Sequence, residues 1–108
     1  MFKRLILYET QDGTIPYEEW FYSLRDVNIR SRIRTRINRL FRGNFGDSKS
    51  IGKGVFELRF HFGSGYRIYF GIDQQTMVIL LLGGDKGTQR RDIEFAFAYW
   101  SDYLRRSK

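Results

Sequence analysis

The chain has 108 residues, 42% of them hydrophobic and 18% aromatic, which is enough apolar side chain for one packed core and too much for a disordered segment. Nineteen Lys and Arg against 12 Asp and Glu give a formal charge of +7, an excess that attracts phosphate backbones or acidic proteins when it does more than keep the chain in solution. With no cysteine and a single histidine, disulfides, thiolate metal sites, cysteine nucleophiles and two-histidine acid–base chemistry are excluded.

In chain order, Phe2 to Tyr8 reads as a short strand closed by the turn residues Gln11, Asp12 and Gly13. Thr14 and Pro16 then mark a helix start, and Tyr17, Trp20, Phe21 and Leu24 follow at offsets of one helix face. Asp26 suits the N-cap of a second helix, whose apolar stripe is Ile29, Ile33, Ile37, Leu40 and Phe41 and whose C-cap glycine is Gly43. So short a connection predicts a helical hairpin that lays both stripes on one surface.

Gly46 to Gly54 reads as a glycine-rich connector, after which the period changes to two. From Val55 to Phe62, Phe56, Leu58, Phe60 and Phe62 point one way, and Glu57, Arg59 and His61 the other. A turn at Gly63 to Gly65 returns the chain as a strand over Tyr66 to Asp73, with Arg67 and Tyr69 opposite the apolar face. Met77 to Leu82 is apolar throughout, as in an interior strand covered on both sides, and at this length it falls far short of the ~20 residues of a membrane helix. Gly83 and Gly84 end that strand; Thr88 is placed to cap a last helix whose face is Ile93, Phe97, Trp100 and Leu104. The order predicts a single α+β domain over residues 1–108, a helix hairpin on a four-stranded, mostly antiparallel sheet followed by a C-terminal helix. Without a signal-type N-terminus, the expected location is the cytoplasm.

The alternation puts Arg59 and Arg67 on one side of a hairpin with His61 and Tyr69 beside them. Two guanidiniums on rigid strands form a phosphate clamp, because each offers planar paired donors and stays charged. The competing reading is a solvated strand face on which these arginines pair with Glu57 or Asp73. Lys86 lies in a Gly-flanked loop from which its ammonium reaches the same face; GGDKGTQ lacks the spacing of a P-loop, so an ordinary turn lysine is the alternative. The arginine-rich second helix is either a nucleic-acid-facing ridge or a solvated face. Tyr69 and Tyr99 are the aromatics placed to stack on bases, while Trp20, Phe56, Phe60, Phe70, Phe97 and Trp100 fall at core spacings.

Two strings, GKGVFELRFHFGSGYRIYF from Gly52 to Phe70 and ILLLGGDKGTQRRDIEFA from Ile79 to Ala96, carry ELR, GYR and GGDK in order. Together with TIPYEEWFYSL at Thr14 to Leu24, they resemble the phage-derived, HigB-like branch of the RelE/ParE toxin superfamily, the addiction module killer proteins. That resemblance implies a toxin of a toxin–antitoxin module that cuts mRNA on the ribosome, using the RNA 2′-hydroxyl as nucleophile and neither metal nor other cofactor. Arg59, Arg67 and Lys86 match its catalytic positions, and Lys53, His61, Tyr69 and Arg90 are the expected RNA contacts. The implied partners are the ribosome, mRNA and a helix-turn-helix antitoxin. Relatives that keep a C-terminal His or Tyr as general base find no His there in this chain, which leaves Lys86, His61 or Tyr99 for proton transfer. The alternative within the superfamily is a ParE-like gyrase inhibitor without nuclease activity, which has no need of a phosphate clamp.

Overall fold

A computed structural model describes residues 1–107. Among them, the elements run β1 (Arg4–Leu7), α1 (Pro16–Ser23), α2 (Val27–Phe41), β2 (Ser48–Gly52), β3 (Val55–Arg59), β4 (Arg67–Asp73), β5 (Met77–Gly84) and, after a 3₁₀ turn at Lys86–Thr88, α3 (Gln89–Arg106). The strands form one sheet in the order β1-β5-β4-β3-β2, with β1 parallel to β5 and the other pairs antiparallel. The sheet is mostly antiparallel as expected, but it has five strands where four were expected and is mixed through the parallel β1–β5 pair. The added strand is β2, inside the glycine-rich connector, where Ser48–Gly52 folds back on β3 through a turn at Lys53 and Gly54 with φ of 57° and 87°.

The sheet is covered on both faces. Tyr17 and Phe21 of α1 and Ile33, Ile37 and Leu40 of α2 pack with Leu58, Phe60, Ile68, Phe70, Val78 and Leu80 on one side. Ala96 and Trp100 of α3 pack with Val55, Tyr69, Ile79 and Leu81 on the other. Residues Val78 to Gly84 are all buried, as an interior strand requires.

The local signals explain most element ends. Pro16 opens α1, and the Asp26 carboxylate accepts from the Asn28 and Ile29 amides at 2.8 and 3.4 Å to start α2. Gly43, at φ 95°, donates its amide to the Leu40 carbonyl and ends it. The two helices are not the tight hairpin expected. Leu24 and Asp26 both hold extended backbone between them, and a groove lined by Tyr17, Phe21, Arg34 and Ile37 separates the helices, with the Arg34 guanidinium 4.9 Å from the Phe21 ring centre. Both stripes nevertheless reach the same core.

Three local assignments need correction. Gly83 and Gly84 belong to β5 itself and do not end it. A Cβ on Gly83 would lie 2.1 Å from the Trp20 ring and one on Gly84 1.9 Å from Asp92, so close approach from both layers demands glycine. Thr88 does not cap α3 with its side chain; Asp85 caps the 3₁₀ turn by accepting from the Gly87 and Thr88 amides, and the Thr88 hydroxyl turns to Asp92. Leu104 is exposed, and Tyr103 takes its place against the core.

Candidate active site

Arg59 and Arg67 are direct partners in the β3–β4 register, on the face that α3 covers. Period-two alternation also puts Glu57 on that face, directly opposite Tyr69. The Glu57 side chain is 0% exposed and lies between the arginines: Arg59 Nε donates to its Oε1 at 2.9 Å, and Arg67 Nε stands 3.7 Å from its Oε2. Gln89, the first residue of α3, donates its amide to the same Oε2 at 2.9 Å. Burial alone pushes the Glu57 carboxyl up, but donation from Arg59 and Gln89 outweighs it and holds the group below the usual range.

Glu57 is hydrogen-bonded to the Nε edge of Arg59 and only ion-paired with that of Arg67, whose buried Nε has no hydrogen-bond partner among the described residues. Arg67 also donates Nη1 to the Gly65 carbonyl at 2.9 Å. Among the described residues, Nη1 and Nη2 of Arg59 and Nη2 of Arg67 have no hydrogen-bond partner. Their side chains are 31% and 14% exposed, so the terminal nitrogens border solvent while the carboxylate beneath them does not. One carboxylate against two guanidiniums leaves the cleft positive.

Lys86 joins this group. Its amide donates to Ser64 in the β3–β4 turn, and a Cβ on Gly65 would touch both the Lys86 Cβ at 3.3 Å and Arg67 Nη1 at 3.5 Å. The 3₁₀ turn therefore delivers an exposed ammonium stem beside Arg67.

The other expected contacts are not gathered there. Tyr69 is fully buried under α3, where burial and the adjacent Glu57 push its phenol well above the ordinary value, so it offers no face to a base. Lys53 sits at the β2–β3 turn, at the opposite end of β3 from Arg59, with its ammonium 4.7 Å from the Phe97 ring centre. His61 lies beyond the end of β3, pairs with Asp47 and lines a groove along α2. Arg90 is exposed in the first turn of α3, without an ion pair among the described residues. Tyr99 stacks on Tyr8 and Phe95 on the other side of α3's sheet contact, away from the arginine pair. Of the three candidates for proton transfer, only Lys86 stands at the arginine pair.

Two site residues escaped the sequence reading in these roles. Glu57 was visible as a neighbour of Arg59 on the strand face, but only as a partner that would neutralise it. Gln89 gave no signal, because its reach depends on the turn that sets the start of α3.

The Phage derived protein Gp49-like family (DUF891) matches residues 19–97, most of the chain and all of this cleft. An uncharacterized protein of Haemophilus influenzae (strain Rd) is 46% identical over 83 residues, covering 77% of this chain and 84% of the relative. The chain belongs to the Gp49-like phage-derived family. It is a family of the RelE/HigB-like toxin group, the group that the ELR, GYR and GGDK strings resemble.

Proposed function

We propose that the protein is the toxin of a type II toxin–antitoxin module and acts as a metal-independent endoribonuclease on mRNA in the ribosome. The observation that carries this reading is the arginine pair around one buried carboxylate, Arg59 held through Nε by Glu57 and Arg67 through Nη1 by the Gly65 carbonyl, with terminal nitrogens left free beside Lys86.

Such a cleft suits RNA cleavage by internal attack. The 2′-oxygen forms a bond to phosphorus as the bond to the 5′-oxygen breaks, leaving a 2′,3′-cyclic phosphate and a 5′-hydroxyl. With the nucleophile supplied by the substrate, the protein's tasks are to hold the strand in line and to stabilise the extra charge on the non-bridging oxygens. Arg59 and Arg67 do the latter, Arg59 through both terminal nitrogens in the planar fork that matches two phosphate oxygens and Arg67 chiefly through its free Nη2. Lys86 supplies the proton to the departing 5′-oxygen, and the 2′-proton passes to solvent. Glu57 touches no substrate; it and Gln89 position the arginines.

In this reading a cognate helix-turn-helix antitoxin silences the cleft. Primer extension on cellular transcripts after brief induction tests the activity: codon-positioned 5′ ends are expected with wild type and absent with Arg67→Ala. Intact transcripts with DNA breaks would replace the nuclease by the gyrase-directed alternative.

A further inference from the structure

Outside the cleft, the α2 flank holds a groove of about 400 Å³ lined by Ser31, Arg32, Thr35, Arg39, His61 and Phe62, with Arg36 at its base. Arg32, Thr35, Arg36 and Arg39 recur at offsets 0, 3, 4 and 7, one stripe of the helix about 10 Å long. The groove contains no acidic lining residue, and Asp47 at its rim is occupied by His61.

Two of these cations, Arg32 and Arg36, are held in place. The Arg32 guanidinium lies 3.7 Å from the Phe62 ring centre, so its flat face is covered and its N–H edge is turned outward. Arg36 sits 5.2 Å from the Phe60 ring centre, donates Nη1 to the Arg59 carbonyl at 2.8 Å and Nη2 to the Asp47 carbonyl at 3.1 Å, and thereby ties α2 to the end of β3. Arg32 and Arg39 have no ion-pair partner among the described residues.

The groove and the cleft lie on opposite faces of the sheet and are linked by the chain at the end of β3. Arg59 lies at the end of β3, and two residues later His61 is in the groove wall, followed by Phe62. Arg36 fixes the Arg59 backbone from the groove side.

We propose that this groove is a second binding site for the sugar-phosphate backbone of single-stranded RNA, on the opposite face of the sheet from the arginine cleft and reached around the end of β3, in which Arg32 and Arg39 contact phosphates of the bound strand. It rests on the reading of RNA as substrate and extends it to the path of the strand. The hydroxyls of Ser31 and Thr35 serve as further donors to phosphate, the usual partners for positioning without sequence choice. An acidic protein segment is the less suited occupant, because peptide recognition in a groove relies on apolar anchor pockets and Phe62, already covered by Arg32, is the one apolar lining side chain.

The test is fluorescence anisotropy of a labelled 2′-O-methyl RNA oligonucleotide, which lacks the nucleophile and stays whole, titrated from about 50 to 200 mM KCl with wild type, Arg32→Ala/Arg39→Ala and Arg67→Ala. Two lost phosphate contacts predict that the double variant's salt slope falls by about 1.4, with binding about tenfold weaker at the lowest salt. The Arg67→Ala slope should fall by about half as much. Wild type and double variant with the same slope would overturn the groove site. So would an unchanged RNA affinity accompanied by lost binding of poly-glutamate, which would assign the groove to an acidic protein. Because the probe cannot be cut, failure of wild type to cleave natural RNA removes the nuclease reading without altering this measurement.

Discussion

Arg59 and Arg67 face one another across the β3–β4 ladder and share a single buried carboxylate, Glu57, through their Nε edges. A carboxylate so placed neutralises only one of two charges; it fixes the Arg59 guanidinium by a hydrogen bond, while Arg67, ion-paired at 3.7 Å, is held by its bond to the Gly65 carbonyl. In the proposed reading, the pairing that would mark a passive strand face serves as a mount for a phosphate clamp.

Arg59→Lys separates charge from geometry. An ammonium carries its three donors on one tetrahedral atom and cannot reproduce the planar fork that reaches Glu57 with one nitrogen and presents two others outward, so the variant should fold normally and lose at least about a hundredfold in RNA cleavage, close to the loss in Arg59→Ala. Single-turnover cleavage with circular dichroism as the folding control measures this. Lysine retaining near-native rates would mean that charge alone suffices.

Removal of the mount should cost both stability and activity. Glu57→Gln leaves Arg67 nearly buried without its counterion, and we expect unfolding in urea to be easier by roughly 3 kcal/mol at pH 7. The sign with pH follows from the depressed carboxyl: Glu57 stabilises the fold above its unfolded value, and that contribution is lost as pH falls through the lower folded value. The difference between wild type and variant should therefore shrink on acidification below the usual carboxylate range.

Asp92 behaves oppositely. It is buried, accepts from Thr88 and is held above its ordinary value, mainly by burial. Its ionised form therefore opposes folding as pH rises through the folded value. Asp92→Asn keeps the acceptor for Thr88 without the charge, and should melt higher than wild type at pH 8, with the gap closing toward pH 4.

The glycines of the sheet are predicted to be intolerant for steric reasons. Gly71 meets the Trp100 ring at 2.4 Å from its ideal Cβ, and Gly83 meets Trp20 at 2.1 Å. Either Ala substitution should lower stability by about 2 kcal/mol or more, on the order of 10 °C in thermal midpoint. A melting curve unchanged by Gly83→Ala would show that Trp20 repacks freely.

Much of this fold is legible in the sequence where side chains obey one period. The helix stripes of Tyr17, Phe21, Ile33, Ile37 and Leu40 and the alternation of Phe56, Leu58, Phe60, Ile68 and Phe70 all lead to the same core. The edge strand β2 was hidden because Ser48–Gly52 is mostly polar and Gly-bounded, with only Ile51 to suggest a face. The parallel pairing of β1 with β5 joins segments some 70 residues apart, a relation that no local pattern carries. In the site, alternation placed Arg59 and Arg67 together but could not show that α3 seals Tyr69. Nor could it show that the ladder stops before His61, which frees that side chain to join α2.

In the proposed function the Arg59–Arg67 pair acts on the scissile phosphodiester of mRNA. The most direct measurement incubates purified protein with mRNA-programmed ribosomes and maps the ends produced. The account predicts 2′,3′-cyclic phosphate and 5′-hydroxyl ends with wild type, reduced at least about a hundredfold in Arg67→Ala. Cleavage by the correctly folded Arg67→Ala at the wild-type rate would contradict it.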